Sequence, residues 1–339
     1  MTTATSAALE AVDLVKTYQA GKRRPAVEAL RGLSFAAETG SVFGLLGPNG
    51  AGKSTTVKIL STLSVADSGI ARVAGIDVRR HPQRVRKAIG FVAQKAVTDP
   101  MATGTENLVL AGLIHSMSRR DAHARAAALT DRFGLSEAAN RLVKTYSGGM
   151  ARKLDVALGL MHRPQVLFLD EPTTGLDPQA RSEMWAEIAR MAAEERMTVL
   201  LTTHYLDEAD RLATRLAIVD HGKVVVQGTP EQLKSELRGD TVQVELAEPA
   251  TRDGQVRATL DRLPGLREVA MAGTSVRGRA DSGARTLPMM LAALDEAGVA
   301  VASATVARPS LDDVYLRHTG RSFASAEQHT DAKVLEVAR

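Results

Sequence analysis

Short apolar runs suited to buried strands recur along the first two thirds of the chain. They lie at residues 42–46, 89–93, 166–170 and 198–203. Segments with the apolar spacing of helices separate or follow them, and the clearest of these are residues 55–63 and 179–195. This alternation of strand and helix patterns predicts an α/β architecture.

The N-terminal part of the chain predicts further strands. Residues 8–14 and 33–37 alternate or cluster apolar side chains as strands do. The basic segment 20–25 between them has the composition of a loop. Residues 70–78 predict a short pair of strands after the first helix.

A largely α-helical insert is expected after Gln94. The pattern from residue 106 to residue 134 is helical throughout. Thr103 precedes it, and Glu106 stands three positions later, which is the sequence signature of a capping box. The first helix of the insert should therefore begin at Thr103.

The last hundred residues have a different organisation. Strand patterns lie at residues 242–246, 267–271 and 299–306, and helical patterns lie at residues 251–263 and 287–297. This alternation predicts a small α+β appendage. The remainder, residues 322–339, is polar enough to predict a mobile tail.

Length and composition limit the class of protein. A chain of 339 residues with 44% hydrophobic residues can bury a large core and suggests two domains, or one domain with a sizeable appendage. The absence of cysteine excludes disulfides and thiolate metal sites. We find no apolar run of about 18 residues and no signal-peptide pattern, so we expect neither a membrane-spanning segment nor secretion.

The charge pattern gives little support for binding to nucleic acid. The net charge of +4 is modest, and aromatic residues make up only 3% of the chain, too few for a stacking platform. Basic clusters at residues 22–24 and 79–87 could contact phosphates or anionic lipid headgroups, but solvated surface is the favoured interpretation.

A glycine-rich loop between an apolar strand and a helix predicts a phosphate-binding site. Glycines allow the backbone N–H groups to turn inward, Lys53 can reach the outer phosphates, and the Ser54 hydroxyl can hold Mg²⁺. The alternative is a turn that contains Lys-Ser by coincidence, and the strand–loop–helix context disfavours it. The residues predicted to contact nucleotide here are Gly47, Pro48, Asn49, Gly50, Ala51, Gly52, Lys53, Ser54 and Thr55.

Two carboxylates end the apolar strand at residues 166–170. A phosphate site needs an acidic group for Mg²⁺ and a polar group that orients water, and Asp170 and Glu171 suit these roles in turn. The alternative is an acidic loop with a structural role only. Gln94 also ends an apolar strand, where its amide could contact a metal ion or water.

Other strand and helix ends supply further candidates. His204 ends the strand at residues 198–203 and can point at a γ-phosphate, although most histidines are structural or exposed. The Ser-Gly-Gly sequence at residues 147–149 opens a helical stretch, and small residues at a helix start leave N–H groups that can bind an anion. Tyr18 offers a ring face for a base, but an ordinary packed tyrosine explains it equally well.

Taken in order, these segments resemble the ATP-binding subunit of ATP-binding-cassette (ABC) transporters over about residues 8–235. The resemblance depends on Tyr18, GPNGAGKST (47–55), Gln94, YSGGM (146–150), VLFLDEP (166–172), GLDP (175–178) and His204. It implies a P-loop NTPase cassette with a RecA-like core, an antiparallel β subdomain and an α-helical subdomain. The expected domains are a cassette at 8–238 with its helical subdomain at about 95–162, an α+β accessory domain at 240–320, and a flexible tail at 322–339.

The resemblance also implies roles for the candidate residues around ATP and Mg²⁺. Lys53 and the loop amides would hold the β- and γ-phosphates, and Tyr18 would stack on adenine. The metal ion would be held by Ser54 and Asp170, with Gln94 sensing the metal and the attacking water. Glu171 would act as the general base, and His204 would stabilise the γ-phosphate.

In this family two subunits face each other head to tail and trap two ATP molecules. The resemblance therefore implies a homodimer with shared sites. Ser147, Gly148 and Gly149 of one subunit would close on the nucleotide of the other, with Ser147 and Gly149 at the γ-phosphate. Asp177 would help to link the two sites.

Some positions depart from the family pattern. The signature more commonly reads LSGGQ, whereas this chain has Tyr146 and Met150 at its ends. Together with GTENL at 104–108, these residues resemble the daunorubicin-resistance type of bacterial exporter ATPase, although Thr105 stands where many members have arginine. Residues 311–316 resemble a short acidic helix of that type, and a simple amphipathic helix explains them equally well.

The resemblance implies an ATPase that powers export of a small hydrophobic compound, an antibiotic or drug, through a separately encoded membrane permease. The chain would then lie at the cytoplasmic face of the membrane. One alternative is export of a lipid or polysaccharide. Another is a soluble ABC protein that acts on DNA or the ribosome, which a single cassette without heptads disfavours. We expect no direct contact with nucleic acid.

Overall fold

The computed structural model describes residues 7–19, 26–237, 239–248, 253–323 and 325–326. Its contacts divide the chain into two compact units. The first is Met1–Pro230 together with His318–Arg339, and the second is Glu231–Arg317. The predicted basic loop at 20–25 and residues 327–339 of the predicted tail lie outside the described residues.

The first unit contains two sheets. One has the strand order β2-β1-β4-β5 and is antiparallel. Its strands are β1 (Ala7–Tyr18), β2 (Val27–Glu38), β4 (Ser68–Val73) and β5 (Ile76–Asp77). The predicted antiparallel β subdomain is thereby confirmed.

The other sheet is the mainly parallel sheet of the RecA-like core. Its strand order is β10-β9-β3-β8-β7-β6, in which all neighbours pair in parallel except β10 with β9. The strands are β3 (Val42–Leu46), β6 (Ile89–Val92), β7 (Val166–Asp170), β8 (Thr198–Thr203), β9 (Arg215–Asp220) and β10 (Lys223–Gly228).

Both faces of this core sheet are buried. In β7, Val166 and Phe168 pack into the cluster beneath the antiparallel sheet, whereas Leu167 and Leu169 pack against the helices on the opposite face. Neighbouring side chains in a strand point to opposite faces of the sheet. Because both faces are buried here, the side chains on each face must be apolar. This explains why the core strands read as continuous apolar runs in the sequence.

Helices cover the core sheet and form the helical part of the unit. They are α1 (Lys53–Leu60), α2 (Pro82–Ala88), α3 (Gly104–Ile114), α4 (Arg119–Arg132), α5 (Gly148–Gly159), α6 (Pro178–Glu195) and α7 (Leu206–Leu212). A further helix, α8 (Pro230–Ser235), follows β10. Among the described residues, no helix combines the length and the apolar character needed to span a bilayer.

The helical pattern predicted to run from 106 to 134 is two helices. Ser116 adopts a left-handed backbone with φ of 64°, which ends α3. Ser118 then starts α4, because its hydroxyl accepts the N–H of Asp121 at 3.1 Å. Apolar periodicity continues across this break and therefore could not reveal it.

The second unit is a four-stranded antiparallel sheet with helices. Its strand order is β12-β13-β11-β14. The elements are β11 (Asp240–Leu246), α9 (Asp253–Leu260), β12 (Leu266–Ala272), β13 (Ser275–Ala280), α10 (Gly283–Glu296), β14 (Val301–Ala307) and α11 (Leu311–Thr319). The predicted α+β fold of this part is confirmed.

Two features of the second unit differ from the sequence analysis. Strand β13 was not predicted, because its two arginines and a glycine leave few apolar positions to reveal the alternation. Helix α10 begins four residues before the predicted start and contains Pro288. Proline is normally found in the first turn of a helix, so a helical turn before Pro288 was not expected.

Replacing Thr103 with Ala should loosen the first turn of α3. The predicted capping box is confirmed: Thr103 Oγ1 accepts the Glu106 N–H at 3.1 Å, and Glu106 Oε2 accepts the Thr103 N–H at 2.7 Å. Loss of such a cap destabilises the helix by about 1 kcal/mol, which raises the population of the locally open state roughly fivefold. Hydrogen exchange of the α3 amides measures this, and Thr103→Ser should retain protection. Unchanged exchange in Thr103→Ala would contradict the role of the cap.

Candidate active site

The candidate residues gather at one edge of the core sheet. Strands β3, β6, β7 and β8 run parallel, so their carboxyl ends lie at the same edge. The glycine-rich loop follows β3, Gln94 lies just beyond β6, and His204 follows β8 directly. Asp170 ends β7 and Glu171 follows it. The topology therefore brings together residues that are far apart in sequence.

The glycine-rich loop is held against the sheet. A Cβ atom on Gly47 would lie 2.3 Å from the Val219 carbonyl oxygen, so no larger residue fits there. Lys53 is buried, and its Nζ donates to the carbonyl oxygens of Gly47 at 2.6 Å and Pro48 at 3.1 Å. Helix α1 starts at Lys53 without a side-chain cap, which leaves its positive end to an anionic ligand.

Glu171 is the centre of a polar cluster. Its Oε2 accepts the amide N–H of Gln94 at 2.8 Å and the Thr174 hydroxyl at 3.4 Å. Its Oε1 lies 3.2 Å from His204 Nδ1. The Glu171 backbone is left-handed, with φ of 48°, and its N–H donates to Thr202. Such a strained backbone in a residue with a Cβ is typical of functional sites.

The surroundings of Glu171 favour its ionised form. Hydrogen bonding to the His204 imidazole lowers the pKa of Glu171, and Lys53 adds to this effect, although burial opposes it. A lowered pKa in the folded protein stabilises the fold above the ordinary pKa of glutamate, and this contribution is lost as the pH falls. At neutral pH the side chain is therefore a carboxylate that can accept a proton.

Asp170 lies beside Glu171 and is held by Thr202. The Thr202 hydroxyl donates to Asp170 Oδ1 at 2.5 Å, across the β7–β8 pairing in which these two residues are partners. Ser54, in the first turn of α1, is exposed. Hydroxyl, carboxylate and amide oxygens are the ligands that Mg²⁺ prefers.

These residues fit a magnesium ion that arrives with nucleotide phosphates. Within the described ranges, no group of three or more histidine, aspartate or glutamate side chains could hold a metal ion alone. Mg²⁺ commonly retains water and takes only one or two carboxylates together with substrate phosphates. Ser54, Gln94 and Asp170 provide one carboxylate and two neutral oxygen ligands, which matches this small number of protein ligands.

Arg152 is a site residue that the sequence analysis missed. Its guanidinium is buried and donates to main-chain carbonyl oxygens on both sides of the site. The acceptors are Ala93 at 2.6 Å, Pro172 at 2.7 Å, and Asp170 and Glu171 at 3.2 Å each. One side chain thus fixes the backbone before Gln94 to the backbone around Glu171.

A second buried charge accompanies Arg152 on α5. Asp155 Oδ2 lies 3.8 Å from Arg152 Nη1, and Asp155 Oδ1 accepts the Val97 N–H at 3.2 Å. Burial raises the pKa of Asp155. The sequence signal of this pair is an arginine and an aspartate three positions apart on one helix. Lys153, between them, is also charged but pairs with Glu183 at the surface, so the sequence does not show which of these charges is buried.

The Ser-Gly-Gly segment starts a helix but does not join the Glu171 cluster of its own chain. The Ser147 hydroxyl accepts the Met150 N–H at 3.2 Å and caps α5. In the part of the chain that the structure describes, no hydrogen bond links Ser147 or Gly149 to the glycine-rich loop. Asp177 likewise caps α6, because its Oδ1 accepts the Ala180 N–H at 2.8 Å.

The unusual Tyr146 has a local structural role. Its hydroxyl donates to the Ala138 carbonyl oxygen at 2.7 Å and lies against Gly104, where a Cβ atom would be only 2.4 Å away. Thr105 donates its hydroxyl to the Ala139 carbonyl oxygen at 3.1 Å. These contacts connect the start of α3 with the segment before α5.

Tyr18 lies at the end of β1 with 38% of its surface exposed. The Lys16 ammonium lies 5.4 Å from the ring centroid, and the Tyr18 hydroxyl lies 3.4 Å from Ser64 Oγ. Because the side chain is partly open to solvent, its ring can still contact a base.

Comparison with known proteins agrees with this geometry. A family model described as ABC transporter matches residues 30–174, and one described as ATP-binding protein DrrA1-3-like, C-terminal domain, matches residues 228–319. The daunorubicin/doxorubicin resistance ATP-binding protein DrrA of Streptomyces peucetius is 43% identical over 346 residues, covering 100% of both chains. The chain belongs to the ATP-binding subunits of ABC transporters. Its resemblance to this family is thereby confirmed, and it is an ATPase coupled to transport.

Other similarities extend this result. The Nod factor export ATP-binding protein I of Burkholderia lata is 40% identical over 230 residues, which cover 68% of this chain and 75% of that protein. The solved structure of cbiO1 from Clostridium perfringens, part of the ABC transporter complex cbiONQ, gives a TM-score of 0.62 at 24% identity. The match covers 76% of this chain and 96% of that chain. It confirms the predicted cassette fold.

Replacing Arg152 with Lys should lower the rate of ATP hydrolysis about 10- to 100-fold. Lysine retains the charge but cannot reach the carbonyl oxygens of Ala93 and Pro172 together, so Gln94 and Glu171 would shift. The measurement is steady-state kcat, with ATP affinity determined in parallel. The control is Lys153→Ala on the same helix, where the lysine pairs with Glu183 at the surface. A kcat equal to that of the control would contradict the role of Arg152.

Proposed function

We propose that this ABC ATPase powers the export of a small hydrophobic compound, such as an antibiotic or drug, through a separately encoded membrane permease. The supporting observation is the similarity to DrrA, which covers 100% of both chains and therefore includes the cassette and the C-terminal unit. In this proposal the chain is held at the cytoplasmic face of the membrane by the permease.

The proposed ATP site uses the residues at the edge of the core sheet. The amides of the glycine-rich loop and Lys53 hold the β- and γ-phosphates, and the positive end of α1 adds to the attraction. Tyr18 stacks on adenine. Mg²⁺, when bound with ATP by Ser54, Asp170 and Gln94, neutralises developing charge on the phosphate oxygens.

The proposed reaction is in-line attack of water on the γ-phosphate, in which the bond from phosphorus to the β,γ-bridging oxygen breaks and ADP leaves. Glu171 accepts the proton of the attacking water, for which its lowered pKa keeps it ionised. Gln94 contacts the same carboxylate and orients the water, and His204 stabilises the γ-phosphate from the other side of Glu171. Arg152 positions both loops without contacting the nucleotide.

The complete site requires a second copy of the chain. The N-terminus of α5 is exposed at Ser147 and Gly148, and a Cβ atom on Gly148 would meet nothing within 4 Å. A helix N-terminus of this kind attracts an anion. We therefore propose a homodimer in which Ser147, Gly148 and Gly149 close on the partner's γ-phosphate, with Asp177 capping the adjacent helix.

A second candidate function is the export of a lipid or polysaccharide. It is supported by the similarity of the cassette to the Nod factor export protein. That similarity covers 68% of the chain, whereas the similarity to DrrA covers all of it. The C-terminal unit therefore favours the drug-export proposal.

Replacing Glu171 with Gln should lower kcat at least about 100-fold while ATP affinity changes little. The amide retains the size of the side chain but cannot accept a proton from water, and general-base catalysis contributes about 10²–10⁴-fold. Steady-state hydrolysis and binding of a fluorescent ATP analogue measure the two effects. Glu183→Gln, a change at an exposed glutamate, is the matched control. A wild-type rate in Glu171→Gln would refute the proposed role.

Co-expression with its proposed permease partner should lower the accumulation of an anthracycline drug in cells. Lys53→Ala, produced at the same level, should abolish the effect because the phosphates lose their main cationic contact. Fluorescence of the retained drug measures accumulation. If the wild-type pair leaves drug levels unchanged but transports a labelled lipid or oligosaccharide in vesicles, the second candidate function is favoured.

A further inference from the structure

The chain returns to the first unit after the second one ends. Residues from His318 onward belong to the first unit, directly after α11 in sequence. The start of the predicted tail is packed: Phe323 is 3% exposed and Ala326 is 0% exposed. The segment 318–326, as far as it is described, is here named the return segment.

Arg321 is the charged contact of the return segment with the cassette. Its Nη2 lies 3.0 Å from both carboxylate oxygens of Asp220 and 3.0 Å from His221 Nε2. A guanidinium only donates hydrogen bonds, so the Asp220 carboxylate is the acceptor of this ion pair. The Asp220 side chain is 11% exposed, which limits screening of this ion pair by solvent.

Asp220 and His221 belong to the tight hairpin that joins β9 to β10. Asp220 pairs with Lys223, and the two residues between them, His221 and Gly222, have φ of 46° and 76°. Positive φ at both central positions is typical of a type I′ turn. Because His221 has a Cβ atom, its left-handed backbone is less favourable than that of glycine. External contacts to this turn therefore help to hold it.

The same hairpin supports the phosphate loop through main-chain contacts. The Gly222 N–H donates to the Ala51 carbonyl oxygen at 2.9 Å. On the other side of Asp220, the Val219 carbonyl oxygen is the atom that approaches Gly47 so closely. The residues that flank Asp220 and His221 thus touch the phosphate loop at Gly47 and Ala51.

We infer that Arg321 is a positioning residue for the ATP phosphates. It holds the β9–β10 turn, and the turn holds the loop whose amides contact the phosphates. The return segment, which is covalently continuous with the second unit, thereby sets the affinity of the cassette for ATP. This inference rests on the proposed role of residues 47–55 as the phosphate-binding loop.

The competing interpretation is a surface ion pair with little effect. Exposed ion pairs contribute little to stability, because solvent and salt screen the two charges. Two features of Arg321 differ from that situation. It contacts both oxygens of one carboxylate together with a neighbouring imidazole, and Asp220 and His221 lie in a turn that contacts the phosphate loop.

The test compares Arg321→Ala with Arg72→Ala in the full-length chain. Arg72 pairs with Glu10 at 2.9 Å in the antiparallel sheet, so it serves as a matched ion-pair control. We expect Arg321→Ala to raise the KM for ATP and the Kd of a fluorescent ATP analogue about five- to tenfold, with kcat within twofold. Arg321→Lys should recover part of the affinity, and Arg72→Ala should leave both constants unchanged.

Asp220→Asn provides an independent check. It should weaken ATP binding to a similar extent, and the double variant should be no weaker than either single variant, because both changes break one interaction. If Arg321→Ala reduces thermal stability or the active fraction while KM and Kd stay at wild-type values, its role is structural only and the inference is wrong.

Lys53→Ala separates failure of the inference from failure of the proposed site. Normal ATP affinity in Lys53→Ala would refute the assignment of the phosphate loop itself. Loss of affinity in Lys53→Ala, combined with unchanged affinity in Arg321→Ala, would refute only the role of the return segment.

Discussion

The parallel pairing of β3, β8, β7 and β6 is the constraint on which the proposed ATP site depends. Their common direction places the loop after each strand at one edge of the sheet. Register matters as much as direction, because Asp170 faces Thr202 and bonds to its hydroxyl. A shift by one residue would turn Asp170 to the opposite face. The apolar residues that fix this register therefore also position the proposed catalytic residues.

Loops at a sheet edge still need to be held in place, and Arg152 does this with one buried side chain. Its guanidinium donates hydrogen bonds to carbonyl oxygens in the segments that carry Gln94 and Glu171. A buried charge is stable only when such polar partners surround it. The left-handed backbone of Glu171 persists because the surrounding hydrogen bonds leave no easier conformation.

The return segment extends this organisation to the end of the chain. Arg321 and Asp220 are 101 residues apart, and the whole second unit lies between them in sequence. A packed segment with buried Phe323 and Ala326 differs from the polar tail that composition alone predicts. In this chain the segment after the second unit therefore belongs to the first unit and contacts the turn beside the glycine-rich loop.

Features that depend on local backbone chemistry can be predicted from the amino-acid sequence. The glycine-rich loop before α1, the apolar strands that end at Asp170 and His204, and the capping box at Thr103 are all encoded within a few neighbouring residues. The tertiary structure alone decided the features whose partners are distant. In the sequence, Arg152 looks like an ordinary helix residue. Strand β13 is recognised only from its pairing with β11 and β12, and the partner of Arg321, Asp220, is identified only in the folded chain. Periodicity reports which side of an element is buried, but it carries no information about which distant group will meet a buried charge.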